Sequence, residues 1–343
     1  MQILRINTPN FYGNTRISRG LVQLLSPPVL AIRGLFGGRP DVVYTGTPPL
    51  FMGVAAYAVA RRYRVPFVLN VQDLFPQTAI DLGVLQNRTL IAFFRRVERF
   101  LYRKATALTA MSDPNRDYVI ARGADAGKVH TVFNWCDTES IRPAARMNDF
   151  RRMHGLNENL FVVLSAGTMG FFQGLDTVID AARLLADVPD LLFLLVGGGA
   201  ECERLQQRAA GLPNVRFLPM QPKELYPQVL AAADVGLVTL RPEVITPNVP
   251  SRISTIMAAA RPILASLPQG EAARLVVEAQ AGVVVPAGDG PAFATATLRL
   301  KENPAASQQM GVSGRQYAER YLSRTACVRR NEEILRRATE MRR

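Results

Sequence analysis

The amino-acid sequence predicts an α/β protein built from two parallel-sheet domains. Three observations carry this: a length of 343 residues, two separate series of short apolar runs alternating with longer amphipathic ones, and a polar break between the series. A single hydrophobic core rarely serves more than about 250–300 residues, so a chain of this size divides. Apolar residues make up 48% and charged residues 20%, both ordinary for a globular protein. No apolar run approaches the ~20 residues of a membrane span. The first 30 residues lack a basic start leading into a compact apolar run and a cleavage site, so the expected location is the cytoplasm.

In the first series the expected strands are residues 2–7, 41–46, 66–71, 107–111 and 129–133. In the second they are residues 160–167, 191–197, 215–220, 235–240, 262–266 and 282–287. Such runs, separated by helical patterns, are the mark of parallel sheets covered on both faces. Residues 138–158 are polar, contain Pro143 and lack strand character, so a linker is expected there. The resulting organisation is a first domain over 1–140, a linker over 141–158, a second domain over 159–303, and two helices over 304–343 that have nowhere obvious to go except back across the cleft.

Cys136, Cys202 and Cys327 are odd in number and lack CxxC spacing, which argues against disulfides and thiolate metal sites. The net charge is +13. Residues 1–150 hold 19 basic and 10 acidic side chains, and the remainder 22 and 18, so the first half carries +9 and the rest +4. This surplus suits a polyanionic partner or serves solubility alone. Nucleic acid is the least favoured partner, because the cations are not interleaved with a binding motif. In residues 88–104 a helical period places Leu90, Phe93, Phe94, Val97, Phe100 and Leu101 on one face, and Arg95, Arg96, Arg99 and Arg103 on the other. The helix is then either an ordinary core helix or a basic face for anionic lipid.

Several segments carry chemistry-bearing residues. Strand 160–167 runs into a turn with Gly167, Thr168, Gly170, Gln173 and Gly174 before a helix, and glycines with a helix N-terminus admit phosphate. A second glycine turn follows at 196–205. Pro250 and Ser251 look like a helix start that Ser251 can cap. Arg252 then lies in the first turn, where a cation opposes the helix dipole and calls for an anion. Gln72 and Asp73 leave a strand at the edge where open α/β sheets place ligands, and Asp73 serves as base, substrate anchor or plain cap. Asn134 and Asp137 leave another. No D-x-D pair is present to hold a divalent cation on a diphosphate, so the expected chemistry needs no metal.

Six segments in order, VQDLFPQTAIDLG, VFNWCDTESIRP, SAGTMGFFQGLDTVIDAARLL, LLVGGGAECERL, NVPSRISTIMAAARPILAS and QGEAARLVVEAQAGVVVPAGD, give the chain its resemblance to glycosyltransferase family 4. It looks most like the bacterial exopolysaccharide, colanic-acid and O-antigen enzymes that attach acetamido-deoxysugars. The resemblance implies a GT-B fold, two Rossmann-like domains facing across a cleft, and a retaining transferase. It implies a UDP-sugar donor in the second domain, no further cofactor, and a polyprenyl-diphosphate-linked or glycan acceptor held mainly by the first, at the inner face of the plasma membrane. Carried over by position, Gly167, Thr168, Gly170 and Gln173 would face the diphosphate, and Leu218 to Met220 would flank the base. Ser251 and Arg252 would hold phosphate or sugar, Glu271 would bind a sugar or ribose hydroxyl, and Asn134, matching the N-W-x-D loop at the cleft, would join the donor site. Asp73, with Gln72 beside it, would act on the acceptor.

The sequence also departs from the family pattern. Two glutamates that many members share are Pro247 and Thr255 here, Ala260 replaces a glycine, Gln173 a lysine and Gln72 a histidine. Relatives also open with a strand, a glycine-rich loop and a helix, whereas residues 2–7 resemble a later strand, so roughly 30 residues, one βαβ unit, are expected to be missing. A UDP-sugar epimerase of the same architecture, or a truncated chain that binds nucleotide-sugar or anionic lipid without transfer, stays open as an alternative.

Overall fold

The computed structural model describes residues 27–81, 83–244 and 249–341. The expected strand at 2–7 and the expected missing unit lie outside them. The described residues form two compact units, one comprising residues up to Phe133 together with those from Val328 onward, the other Asn134–Cys327. Each is a parallel α/β unit.

The first unit carries β1 (Val43–Thr47), β2 (Phe67–Val71), β3 (Ala107–Ala110) and β4 (Val129–Thr131), all parallel in the order β1-β2-β3-β4. Its central strands are apolar on both faces, and Leu69, Val71, Leu108 and Val119 are fully buried. The second unit carries β5 (Phe161–Thr168), β6 (Leu191–Gly198), β7 (Val215–Leu218), β8 (Val235–Thr239), β9 (Ile263–Leu267) and β10 (Gly282–Pro286). Their order is β10-β9-β8-β5-β6-β7, so the direction of progression reverses between β5 and β8. In open α/β sheets such a switch point leaves a crevice at the carboxyl ends of the strands. Here β5 and β8 pair only through Val163 and Leu164.

The segment expected as a linker is packed into the second unit. Asn148 caps the helix Asp149–Met153, and Phe150 and Arg151 have no exposed surface. Arg151 donates to the Asp234 carboxylate at 2.7 Å and to the carbonyls of Ala232, Asn157 and Leu160. Burial pulls this guanidinium below its usual pKa, and Asp234 opposes the shift. Polarity misled the sequence reading, because it does not distinguish a solvated arginine from one whose donors are met by carbonyls.

The tail is helical over Pro304–Tyr317 and Arg324–Glu340, joined by one wide helical turn over Ala318–Leu322 that contains Tyr321. The last helix begins in the second unit and continues in the first. Among the described residues no helix is long and apolar enough to cross a membrane.

The helix Arg88–Lys104, capped by the Asn87 side chain, departs from the expected faces. Its buried residues are Glu98, Leu101 and Tyr102, while Leu90, Phe93 and Phe100 keep 47%, 46% and 39% of their surface exposed. The aromatic stripe meets the helix Leu50–Tyr63 from the side, with Phe93 6.3 Å from Phe51 and Phe100 5.2 Å from Tyr57. Glu98 turns inward because Tyr102 offers it a hydroxyl at 3.3 Å.

Arg151→Met leaves the Ala232, Asn157 and Leu160 carbonyls without their donor, while Arg146 stays on the Asp234 carboxylate at 2.5 Å, so the variant is expected to cost about 3 kcal/mol. Urea unfolding followed by a probe in the second unit measures this. The exposed Arg152→Met is the control, expected to stay within about 0.5 kcal/mol of the parent.

Candidate functional site

The second unit brings several of the expected donor residues together at the switch point. Past Leu164 the two central strands part, and the Arg252 side chain lies along the freed end of β5. One of its terminal nitrogens donates to the Ser165 hydroxyl at 3.3 Å and the other to the Thr168 carbonyl. It can lie so close because residue 167 has no side chain: a Cβ there would be 3.2 Å from the guanidinium, and Gly167 holds φ +129°. Burial lowers the Arg252 pKa. Among the described residues no carboxylate pairs with it.

The neighbouring glycine turn is fitted to the first. Gly167 stands in register with Gly197, and Thr168 with Gly198. A Cβ at Gly197 would fall 1.9 Å from the Gly167 carbonyl oxygen, and one at Gly199 2.4 Å from that of Met169. The Met169 amide donates to the Gly198 carbonyl, and the Glu201 amide to that of Met169. Backbone thus packs on backbone at the strand ends, with no side chains in the way.

Gln173, in the turn Phe171–Gln173, uses its side-chain oxygen to accept the Gly170 amide at 3.0 Å, so it braces the loop from within. Asp176, beyond Gly174, is ion-paired with Arg204, Arg208 and Arg241, and the Arg204 hydrogen bonds lead in holding its carboxyl below the usual range. This cluster is satisfied internally.

Ser251 does not cap its helix. Pro250 occupies the N-cap with no side-chain bond, and Ser251 is the first helical residue, exposed. Proline suits that junction because its amide would be unpaired there. At the former glutamate positions, Pro247 lies outside the described residues. Thr255 donates to the Arg252 carbonyl and meets the Tyr226 hydroxyl at 3.1 Å. Ala260 takes φ +52°, a left-handed conformation that glycine adopts more readily.

The remaining expected residues are dispersed over the second unit. Leu218 ends the edge strand β7, and Met220 beyond it is 58% exposed. Glu271 opens the helix Glu271–Glu278 after β9, its carboxylate buried and ion-paired with Arg274 at 2.7 Å. Asn134 is exposed, in a loop held by Cys136, whose amide donates to Leu322 and whose thiol donates to the Ser254 carbonyl. Asp137 of that loop accepts from the Glu139 and Ser140 amides, so it shapes the turn.

Gln72 and Asp73 stand in the first unit, just past β2. The Gln72 amide donates to the Thr47 carbonyl. Asp73 is exposed, and its Oδ1 accepts the Leu74 amide at 2.8 Å and the Thr78 hydroxyl at 2.6 Å. Sequence reasoning noted the glycine turn at 196–205 without singling out Gly197, and missed Ser165 and Tyr226 near this edge. The spacing of the two glycine turns was a signal for Gly197; nothing local marks the other two.

A doubly wound sheet with a glycine-lined carboxyl edge and a cation at its switch point is an arrangement in which open α/β units take phosphate groups, and here it follows another parallel α/β unit in the same chain. A glycosyl transferase 4-like domain model matches residues 7–135, and a glycosyl transferases group 1 model matches residues 161–303. The chain is 27% identical over 298 residues to a probable glycosyltransferase, WbjE, of Pseudomonas aeruginosa, covering 83% of this chain and 72% of that one. It is 27% identical over 227 residues to a putative colanic acid biosynthesis glycosyl transferase, WcaI, of Escherichia coli, covering 64% of this chain and 56% of that one. Among solved structures it resembles Anabaena Alr3699/HepE in complex with UDP, with a TM-score of 0.73 at 21% identity over 92% of this chain and 83% of that one. A sucrose-phosphate synthase of Thermosynechococcus elongatus gives 0.75 at 19% identity, over 97% and 82%. The chain belongs to the glycosyltransferases, and its fold is GT-B.

Gly197→Ala adds a methyl group that has no room, whereas a Cβ at Gly198 meets nothing within 4 Å. Gly197→Ala is expected to lose several degrees of melting temperature, its φ of +149° alone costing about 1–3 kcal/mol, and Gly198→Ala to unfold as the parent does. Calorimetric scanning of both variants decides it.

Proposed function

We propose that this chain is a retaining, metal-independent transferase that moves a sugar, an acetamido-deoxyhexose by family resemblance, from a UDP-sugar to an acceptor in bacterial surface-polysaccharide synthesis. The observation that carries the proposal is Arg252, a half-buried cation held open at the glycine edge of β5 with no carboxylate partner among the described residues. A diphosphate supplies the negative charge that this position lacks. Backbone amides of the two glycine turns and Arg252 would stabilise the departing UDP, which is the part of the reaction where charge develops. The UDP bound in the Anabaena structure supports this nucleotide, and the name of the Escherichia coli relative supports the biosynthetic role.

Arg252→Ala is expected to weaken UDP binding about tenfold or more, since a charge-assisted contact contributes ~1.5–3 kcal/mol. Titration calorimetry with UDP, GDP and inorganic diphosphate tests both the residue and the base. Unchanged UDP affinity in a folded variant removes Arg252 from the donor site, and equal affinity for UDP and GDP removes the uridine assignment.

The acceptor side of the reading is a lipid-linked sugar or glycan reached at an anionic membrane. The support is the helix Arg88–Lys104, whose one acidic residue, Glu98, is buried, so that its exposed arc carries Arg88, Arg96, Arg99 and Lys104 beside Leu90, Phe93 and Phe100. Each surface cation adds about 1 kcal/mol at an anionic bilayer, and exposed aromatics favour the interface. Sedimentation with phosphatidylglycerol vesicles should pull down the chain, with Arg96→Glu and Arg99→Glu together abolishing capture. Capture that ignores lipid charge and salt contradicts the membrane reading.

A further inference from the structure

Tyr226 stands where two parts of the second unit meet. The connection from β7 runs through a turn at Lys223–Leu225 into the helix Tyr226–Ala231, of which Tyr226 is the first residue. That helix is anchored behind it: Val229, Leu230 and Ala231 are buried, and Pro227 stiffens its first turn. Tyr226 itself is half-buried. Its phenol group reaches the helix Ser251–Ala258, where its oxygen lies 3.1 Å from the Thr255 hydroxyl.

The direction of this hydrogen bond follows from the next one. Thr255 has a single hydroxyl proton and donates it to the Arg252 carbonyl at 3.1 Å. The proton between Tyr226 and Thr255 is therefore the phenol's. A phenol oxygen whose proton is committed meets any further polar group as an acceptor. Arg252 is close by, since burial lowers its pKa and Tyr226 is the ionisable group that opposes the shift. The acceptor thus stands beside the guanidinium that donates to Ser165 and Thr168 at the glycine edge.

A nucleoside diphosphate matches this order of groups, because its ribose separates the base from the diphosphate. Arg252 supplies the cation for the diphosphate. Met220, in the same connection as Tyr226, keeps 58% of its surface exposed past the end of β7 and offers apolar surface to a base. The ribose between them brings hydroxyls that need acceptors. A carboxylate beside Arg252 would accept them but would also pair with the cation, whereas a neutral phenol oxygen leaves that charge for the diphosphate.

We propose that Tyr226 holds the ribose of the donor nucleotide: its phenol oxygen accepts a hydrogen bond from a ribose hydroxyl, so the site prefers ribonucleotides to their deoxy counterparts. This rests on the reading of Arg252 as the group that holds the diphosphate of UDP.

Titration calorimetry with UDP, 2′-deoxy-UDP and 3′-deoxy-UDP tests it on the full chain and on Tyr226→Phe. Phenylalanine keeps the packed ring and removes only the oxygen, and the melting temperature verifies that the variant folds. The parent is expected to bind UDP about three- to tenfold more tightly than the deoxy nucleotide lacking the contacted hydroxyl, as one neutral hydrogen bond contributes. In Tyr226→Phe that preference should vanish: UDP affinity falls by the same factor, while affinity for that deoxy nucleotide stays parental. Equal affinity of the parent for all three nucleotides overturns the proposal, and so do parental ratios in Tyr226→Phe. Equal weakening of all three by the variant gives Tyr226 a packing role and overturns it too. Arg252→Ala separates the two readings, since it is expected to weaken all three nucleotides alike. UDP binding that ignores Arg252 removes the diphosphate assignment and this proposal with it, whereas Arg252-dependent binding with parental ratios in Tyr226→Phe removes Tyr226 alone.

Discussion

The second unit is organised around a contact that exists because two side chains are missing. Gly197 lets its backbone press on the Gly167 carbonyl, and Gly167 in turn lets the Arg252 guanidinium lie against the end of β5. A methyl group at either place would push apart the strand ends or displace the cation. The divergence of β5 and β8 past Leu164 opens the space, and Arg252 donates into it to Ser165 and Thr168. The cost of placing a cation at a helix start is met partly by a carbonyl and leaves charge over for a ligand.

The departures from the family pattern become intelligible at this edge. Gln173 closes its own turn onto Gly170, and Thr255 pairs with the Tyr226 hydroxyl. Two of the positions that depart from the expected pattern thus hold neutral groups, each with a local partner.

Charge elsewhere is used for shape. Arg151 holds a buried corner of the second unit with four acceptors, and the carboxylate of Asp176 gathers three arginines beside the glycine turn. In the first unit Glu98 does the converse, one buried acid among arginines and tyrosines. Part of the arginine surplus in the composition is therefore structural.

All ten described strands were legible in the sequence to within a few residues, because a strand buried on both faces must be apolar throughout and must end in a turn. The glycine turn at 167–174 and the first-turn position of Arg252 were legible too, since both follow from local rules about helix starts and backbone freedom. The packed segment around Arg151 was not, because a polar run is the same string whether water or carbonyl oxygens satisfy it. Nor was the inward turn of Glu98, as a helical wheel shows which residues share a face and not which face the neighbours cover. Sequence alone determined the two parallel sheets and where each chain segment turns. Only the tertiary structure decided which charges meet acceptors and which stay open, because that depends on strands and helices brought together from distant parts of the chain, as Ser165 and Arg252 are.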